Sequence, residues 1–208
     1  MSVTLNQYGI TLKRVTEEDI ELIRNWRNHP SIRKTMGYQK KISPSEQIEW
    51  FKSINNKLNY YHLIIVDDKP IGVINCKEVN LKEKYGEGGI FIWDEAYRGS
   101  AVPGIASVIM INYIFNVIKI GNKSFVRILK NNVLAQNYNK MLGYTLIPGQ
   151  ENRRNQWYIL TKEDFNRKLP LLSKGAEKYT NTDGTLHVKG SVSALNIEEV
   201  NATIGKVF

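Results

Sequence analysis

The sequence predicts a mixed α/β domain around one sheet, followed by a C-terminal extension. Three observations lead there. Short apolar or alternating runs recur along the chain, as strands do. Stretches with helical periodicity and capping residues fall between those runs. At 208 residues and 42% hydrophobic composition, the chain can bury one sizeable core.

Residues 10–15 (ITLKRV) alternate apolar and polar side chains, as in a half-buried strand. Thr16 then precedes Glu17, Glu18 and Asp19, an N-cap with acids in the first turn. Ile20, Ile23 and Trp26 give that helix its apolar face, and Pro30 disfavours helix at the residue before it. A second helix starts at Ser43-Pro44-Ser45-Glu46, a capping box with proline at the first position. Its apolar face is expected at Ile48, Phe51 and Ile54. Residues 60–66 and 70–76 read as a hairpin around Asp67-Asp68-Lys69, and 88–93 (GGIFIW) as a further strand. A helix over 105–118 is apolar nearly all round. A strand over 124–129 follows, then a helix over 133–142 that Gly143 closes with a left-handed cap. Residues 144–149 and 156–161 finish the sheet.

The domain is expected to span 1–170 and the extension 171–208. In the extension, residues 181–195 suggest a hairpin around Asp183-Gly184, and Asn196 caps a short helix. Four lysines balance four acids from residue 174 onward, so the net charge of +9 resides ahead of that point. The extension either packs on the domain, pairs with a second copy in a homodimer, or moves freely.

A charge of +9 favours an anionic partner, such as a phosphorylated small molecule, a cofactor or nucleic acid. Nucleic acid is not expected, because no basic run, zinc-finger spacing or aromatic RNA-binding pattern occurs. No apolar run is long enough for a membrane span, and residues 1–10 lack the pattern of a secretory leader. Cys76 is the sole cysteine, which fits a reducing compartment, so a cytoplasmic location is expected. His29, His62 and His187 are scattered without metal-ligand spacing, and no metal is expected.

Residues 97–110, YRGSAVPGIASVIM, connect a strand to an apolar helix. Such a loop aims backbone N–H groups and a helix N-terminus at one point, where phosphate fits. Arg98, Gly99, Ser100 and Gly104 suit that role, and Ala101 is still small. Pro103 removes one donor. The alternative is an ordinary strand-to-helix turn.

The next strand leads into NNVLAQNYNKMLGY (131–144). This segment resembles the Asn-x-x-Ala/Ser…Lys-Leu-Gly-Phe segment of the GCN5-related N-acetyltransferases, the GNAT superfamily. The 97–110 loop resembles their Arg/Gln-x-x-Gly-x-Gly/Ala segment. The likeness covers residues 10–168. ELIRNWRNHPSIRKTM and ISPSEQIEWFKSI are similar to the first helices of the branch containing ribosomal-protein and nucleotide-amino-sugar N-acetyltransferases. The resemblance implies a mostly antiparallel central sheet flanked by helices. It also implies acetyl-CoA as co-substrate and an amine as acceptor.

It further implies site residues. Phe91, Ile92 and Trp93 would lie along the pantetheine arm. Arg98, Gly99, Ser100, Ala101, Val102, Gly104 and Ile105 would cradle the pyrophosphate. Asn132 would bond the pantetheine. Asn139 stands where many members carry a tyrosine that protonates the leaving thiolate, and Tyr138 is one place early. Glu87 is the candidate base, directly or through water. Arg27, Asn28 and His29 fall where this branch shapes its acceptor pocket, and Arg27 could hold a phosphate. The acceptor so implied is an anionic small molecule, a nucleotide-linked amino sugar. A ribosomal-type protein N-terminal acetyltransferase and a non-catalytic binding module remain alternatives.

Overall fold

A hairpin opens the chain. β1 (Thr4–Gln7) and β2 (Ile10–Arg14) turn at Tyr8 and Gly9, both with positive φ, the geometry a tight hairpin requires. The structure, a computed structural model, describes residues 3–190. β1 had no counterpart in the sequence pattern because Gln7 occupies a core position. Its Nε2 donates to the Gly184 carbonyl at 2.7 Å.

Helix α1 (Ile20–Asn28) follows a short 3-10 turn, and the Asp19 carboxylate accepts from both the N–H and the hydroxyl of Thr16. The chain does not leave helical geometry for good at Pro30. His29 caps a second short helix, α2 (Pro30–Arg33), with proline in its first turn. Helix α3 (Pro44–Ile54) has the expected Ser43–Glu46 capping box. Its buried face differs from the expected one. Gln47, Phe51 and Ile54 face inward, whereas Ile48, about 100° around the helix, is exposed.

β3 (Tyr60–Val66) and β4 (Lys69–Asn80) form the expected hairpin, with Asp67 and Asp68 at positive φ. β5 (Tyr85–Ile92) begins three residues before the expected strand. A one-turn helix, α4 (Glu95–Arg98), precedes α5 (Val102–Asn112), which therefore starts three residues early and ends in a π turn over Tyr113–Val117. Every residue of α5 except Pro103 and Gly104 is buried, as its apolar composition requires. β6 (Lys123–Leu129) leads into α6 (Val133–Leu142), which Gly143 closes at φ 109°. β7 (Thr145–Leu146) is shorter than expected, and β8 (Asn155–Thr161) completes the main sheet.

α7 (Lys162–Thr180) has no counterpart in the sequence reading. Thr161 caps it by accepting from the Asp164 N–H, and Phe165 and Ala176 are buried against the core. The 170/171 boundary falls inside this helix. The hairpin expected over 181–195 lies partly outside the described residues; within them, the residues before 181 are helical. Gly184 does turn at φ 72°, and β9 (His187–Lys189) then pairs antiparallel with β1. The short helix expected from Asn196 lies outside the described residues.

The sheet runs β7-β8-β6-β5-β4-β3-β2-β1-β9. Every pair is antiparallel except β5–β6. α5, α6 and α7 pack on one face over the larger apolar cluster, and α1, α2 and α3 cover part of the other. The parallel β5–β6 ladder extends only from Tyr85–Lys123 to Gly88–Val126. Beyond that point β5 continues along β4 to Ile92 and β6 along β8 to Leu129. The two strands splay apart, and the sheet opens into a cleft.

Candidate active site

The cleft is about 1580 Å³ and passes between β5, β6, α5 and α6. Its vertex is at Gly88, where an added Cβ would sit 3.2 Å from Val126 and 3.6 Å from the Tyr144 hydroxyl. Past the vertex the outer edge of Gly89–Ile92 has no strand partner among the described residues, because β4 takes only the other edge. An extended ligand can complete that edge, as added strands do.

At the cleft's upper end, the loop 99–104 meets the N-terminus of α5. Several of its groups are committed locally. Gly99 N–H donates to Tyr97 O, Val102 N–H to Ser100 Oγ and Ile105 N–H to Ala101 O. Arg98 does not point at a ligand. Its Nε donates to Ile92 O, its Nη2 to Trp93 O, and its Nη1 pairs with Glu95. It therefore clamps the end of β5. The N–H groups of Ala101 and Gly104 have no acceptor among the described residues, and a Cβ on Gly99 or Gly104 would meet nothing within 4 Å. That open space over a helix N-terminus fits a pyrophosphate. Pro103 sits in the first turn of α5, where its missing N–H costs the helix nothing.

Of the strand residues, Phe91 and Ile92 line the cleft. Trp93 does not. It is buried, stacks on Trp26 at 5.8 Å, donates its ring N–H to Pro70 O and its backbone N–H to Ile71 O.

Asn132 lines the opposite wall and caps α6, its side-chain oxygen accepting from the Ala135 N–H. Tyr138 and Asn139 also line the cleft. Burial raises the pKa of the Tyr138 phenol, with Ser107 and Asn139 acting in the opposite direction. The phenol thus stays protonated at neutral pH and can donate. Asn139 is buried and donates to Ala135 O at 2.8 Å, so it holds the helix and cannot act as an acid. A second phenol, Tyr144, escaped the sequence reading. Its hydroxyl pairs with Ser124 Oγ at 2.7 Å beside the vertex, and burial raises its pKa too. The only sequence cue was a tyrosine following Gly143.

On the α1–α3 side, the three expected acceptor residues separate. Arg27 lines the cleft, with its guanidinium 5.7 Å from the Phe91 ring. Its Nη1 is buried without a partner among the described residues, and burial lowers its pKa. Asn28 instead clamps the Ile42 backbone, donating to its carbonyl and accepting from its N–H. His29 is exposed and bonds Ser31 as the α2 cap. Ser31, Thr35, Met36 and Tyr38 complete this wall, and no motif announced them.

Glu87 also lines the cleft, but not as a lone carboxylate. Arg127 Nε and Nη2 donate to its Oε1 at 3.0 and 2.8 Å, and Lys77 Nζ lies 3.4 Å from Oε2. Neither Lys77 nor Arg127 drew attention in the sequence, since each is a single charge on a separate strand.

A split sheet with a glycine-bearing helix N-terminus at one end and a buried phenol beside the vertex defines a thioester-cofactor transferase. Residues 10–145 match the acetyltransferase (GNAT) domain, and the chain belongs to that family as an acyl-CoA N-acetyltransferase. It is 29% identical to Acetyltransferase PseH of Campylobacter jejuni over 169 residues, 77% of this chain and 99% of the relative. An uncharacterized protein of Methanocaldococcus jannaschii is 24% identical over 151 residues, 71% of this chain, and the match spans only 30% of that protein's length. Among solved structures, FdhC, described as a nucleotide-linked sugar GNAT, superposes with TM-score 0.66 at 21% identity, covering 82% of this chain and 96% of its own. The spermidine N-acetyltransferase of Vibrio cholerae, solved with CoA and spermine, superposes with TM-score 0.66 at 17% identity, covering 76% and 98%. Among the described residues, no helix is long and apolar enough to cross a membrane, and no cluster of metal-ligating side chains occurs.

Proposed function

We propose that this enzyme transfers the acetyl group of acetyl-CoA to the amino group of a nucleotide-linked amino sugar in the cytoplasm. The observation that carries the acceptor class is the charge of the cleft. Among the described residues, Arg27, Lys77, Lys123, Arg127 and Lys168 line it against a single carboxylate, Glu87. Such a lining attracts the diphosphate of a nucleotide sugar and repels a polyamine. FdhC, described as a nucleotide-linked sugar GNAT, supports that class.

On this reading the pyrophosphate of acetyl-CoA rests on the Ala101 and Gly104 N–H groups and the α5 dipole. The pantetheine completes the free edge of Gly89–Ile92, and the Asn132 amide N–H₂ donates to it. The acetyl carbonyl then lies near the vertex. The neutral acceptor amine attacks that carbonyl, the C–S bond breaks as the C–N bond forms, Tyr138 protonates the departing thiolate, and the proton released by the new amide nitrogen returns through solvent to the Tyr138 phenolate. Arg27, whose Nη1 is buried with no partner among the described residues, holds an anionic group of the acceptor.

Acetyl transfer from acetyl-CoA to a UDP-linked amino-dideoxy sugar, followed by mass spectrometry, tests the proposal. Formation of the N-acetyl sugar is expected. Acetylation of a ribosomal-protein N-terminal peptide in its place would show the acceptor class to be wrong.

A further inference from the structure

We infer that Arg127 is a specificity-determining residue, a fixed guanidinium that receives an anionic group of the acceptor, and that Glu87 positions it rather than removing a proton. This rests on the nucleotide-sugar reading and deepens it.

Arg127 is held on two sides. Two of its nitrogens bond Glu87, and Nη2 reaches both carboxylate oxygens, at 2.8 and 3.2 Å. Its guanidinium also lies 5.0 Å from the Trp157 ring, its cross-strand partner on β8. Nη1 has no partner among the described residues, and 43% of the side chain remains exposed to the cleft mouth. A long, flexible side chain has thereby been immobilised with one donor edge left free. Binding then costs less ordering entropy, and the planar fork suits phosphate.

The carboxylate that does this is nearly enclosed, with 15% of its side chain exposed. Glu87 lies opposite Lys77 on β4 and beside β6 on the other edge, so cations reach it from both neighbouring strands. Its oxygens are engaged by N–H donors, which leaves a poor acceptor for an amine proton. One negative and two positive charges give the triad a net positive charge, directed at the acceptor.

The test uses full-length wild type, Arg127→Gln, Arg127→Lys and Glu87→Gln, with thermal melting confirming a folded state. UDP binding is measured by calorimetry at saturating CoA, so that the donor cradle is already filled. Acetylation of a UDP-linked amino sugar and of the same amino sugar without the nucleotide is measured in parallel.

UDP affinity and KM for the linked sugar should worsen at least about tenfold in Arg127→Gln, the scale of one lost charge-assisted pair. Arg127→Lys should recover only part of the loss, and KM for the free sugar should not change. Glu87→Gln should raise KM for the linked sugar with kcat and its pH profile preserved.

Equal UDP affinity in wild type and Arg127→Gln overturns the inference. So does a collapse of kcat in Glu87→Gln with loss of the acidic limb, since that marks a base. Wild type that binds UDP through Arg127 but does not acetylate the sugar would sink the functional reading and leave the anion site standing. Wild type that binds no UDP would remove the site.

Discussion

At the residue scale, Tyr138 is the strongest chemical candidate, because burial raises the pKa of its phenol in the cleft wall and outweighs the opposing effect of Ser107 and Asn139. Tyr138→Phe keeps the ring and removes the proton. We expect kcat to fall roughly 10²-fold with donor affinity preserved, the usual scale for a general acid; steady-state kinetics and CoA calorimetry read the two separately. The nearby Tyr144–Ser124 pair makes Tyr144→Phe the proper control.

Pro103 raises a second residue-scale question. Pro103→Ala restores an N–H in the first turn of α5, beside the free amides of Ala101 and Gly104. CoA should then bind several-fold tighter, and unchanged affinity would place residue 103 outside the phosphate contacts.

His62 tests the core. It is almost fully buried, and burial, reinforced by Arg14, pushes its pKa down to about 3. The unfolded chain takes up a proton near pH 6.5 while the folded state refuses it. Stability is therefore complete above that pH and declines below it, by about 1.4 kcal/mol per unit. Urea unfolding of wild type and His62→Leu at pH 7 and 5 should show the steeper pH dependence in wild type.

At the element scale, the sequence signals that proved legible were local ones. The Ser43–Glu46 capping box, the Asp67–Asp68 turn and the left-handed Gly143 each impose backbone geometry through one or two residues. What escaped depended on partners far along the chain. β1 exists because β2 and β9 flank it and because Gln7 finds Gly184. α7 begins with a Thr161 cap, and Pro170 in its interior interrupts the helical pattern that its sequence would otherwise show.

The last strand carries a prediction of its own. Deleting residues 181–208 removes β9 and exposes the β1 edge while leaving α7 and the cleft intact. CoA binding should survive, with a lower melting temperature or an altered oligomeric mass. Loss of binding in a still-folded truncation would show that the extension reaches the donor site.

At the scale of the whole molecule, the site is a consequence of topology. β5 and β6 pair for four residues and then diverge, and helices α5 and α6 fill the two sides of the gap. The proposed donor half lies in two segments whose order and spacing can be read together, 97–110 and 131–144. The proposed acceptor half is poorly legible. Arg27 was visible beside a helix end, but Lys77, Glu87 and Arg127 meet across β4, β5 and β6 only after folding. Asn28 and His29 adjoin Arg27 in sequence yet serve the backbone around it.

The charge these strands gather into the cleft is the property that separates a nucleotide-sugar acceptor from a polyamine. The most direct measurement is a competition assay with acetyl-CoA as donor and equal concentrations of a UDP-linked amino sugar and spermidine. kcat/KM should be at least about a hundredfold higher for the nucleotide sugar, the size expected when like charges would otherwise be brought together. Preference for spermidine, or equal turnover of both, would contradict it.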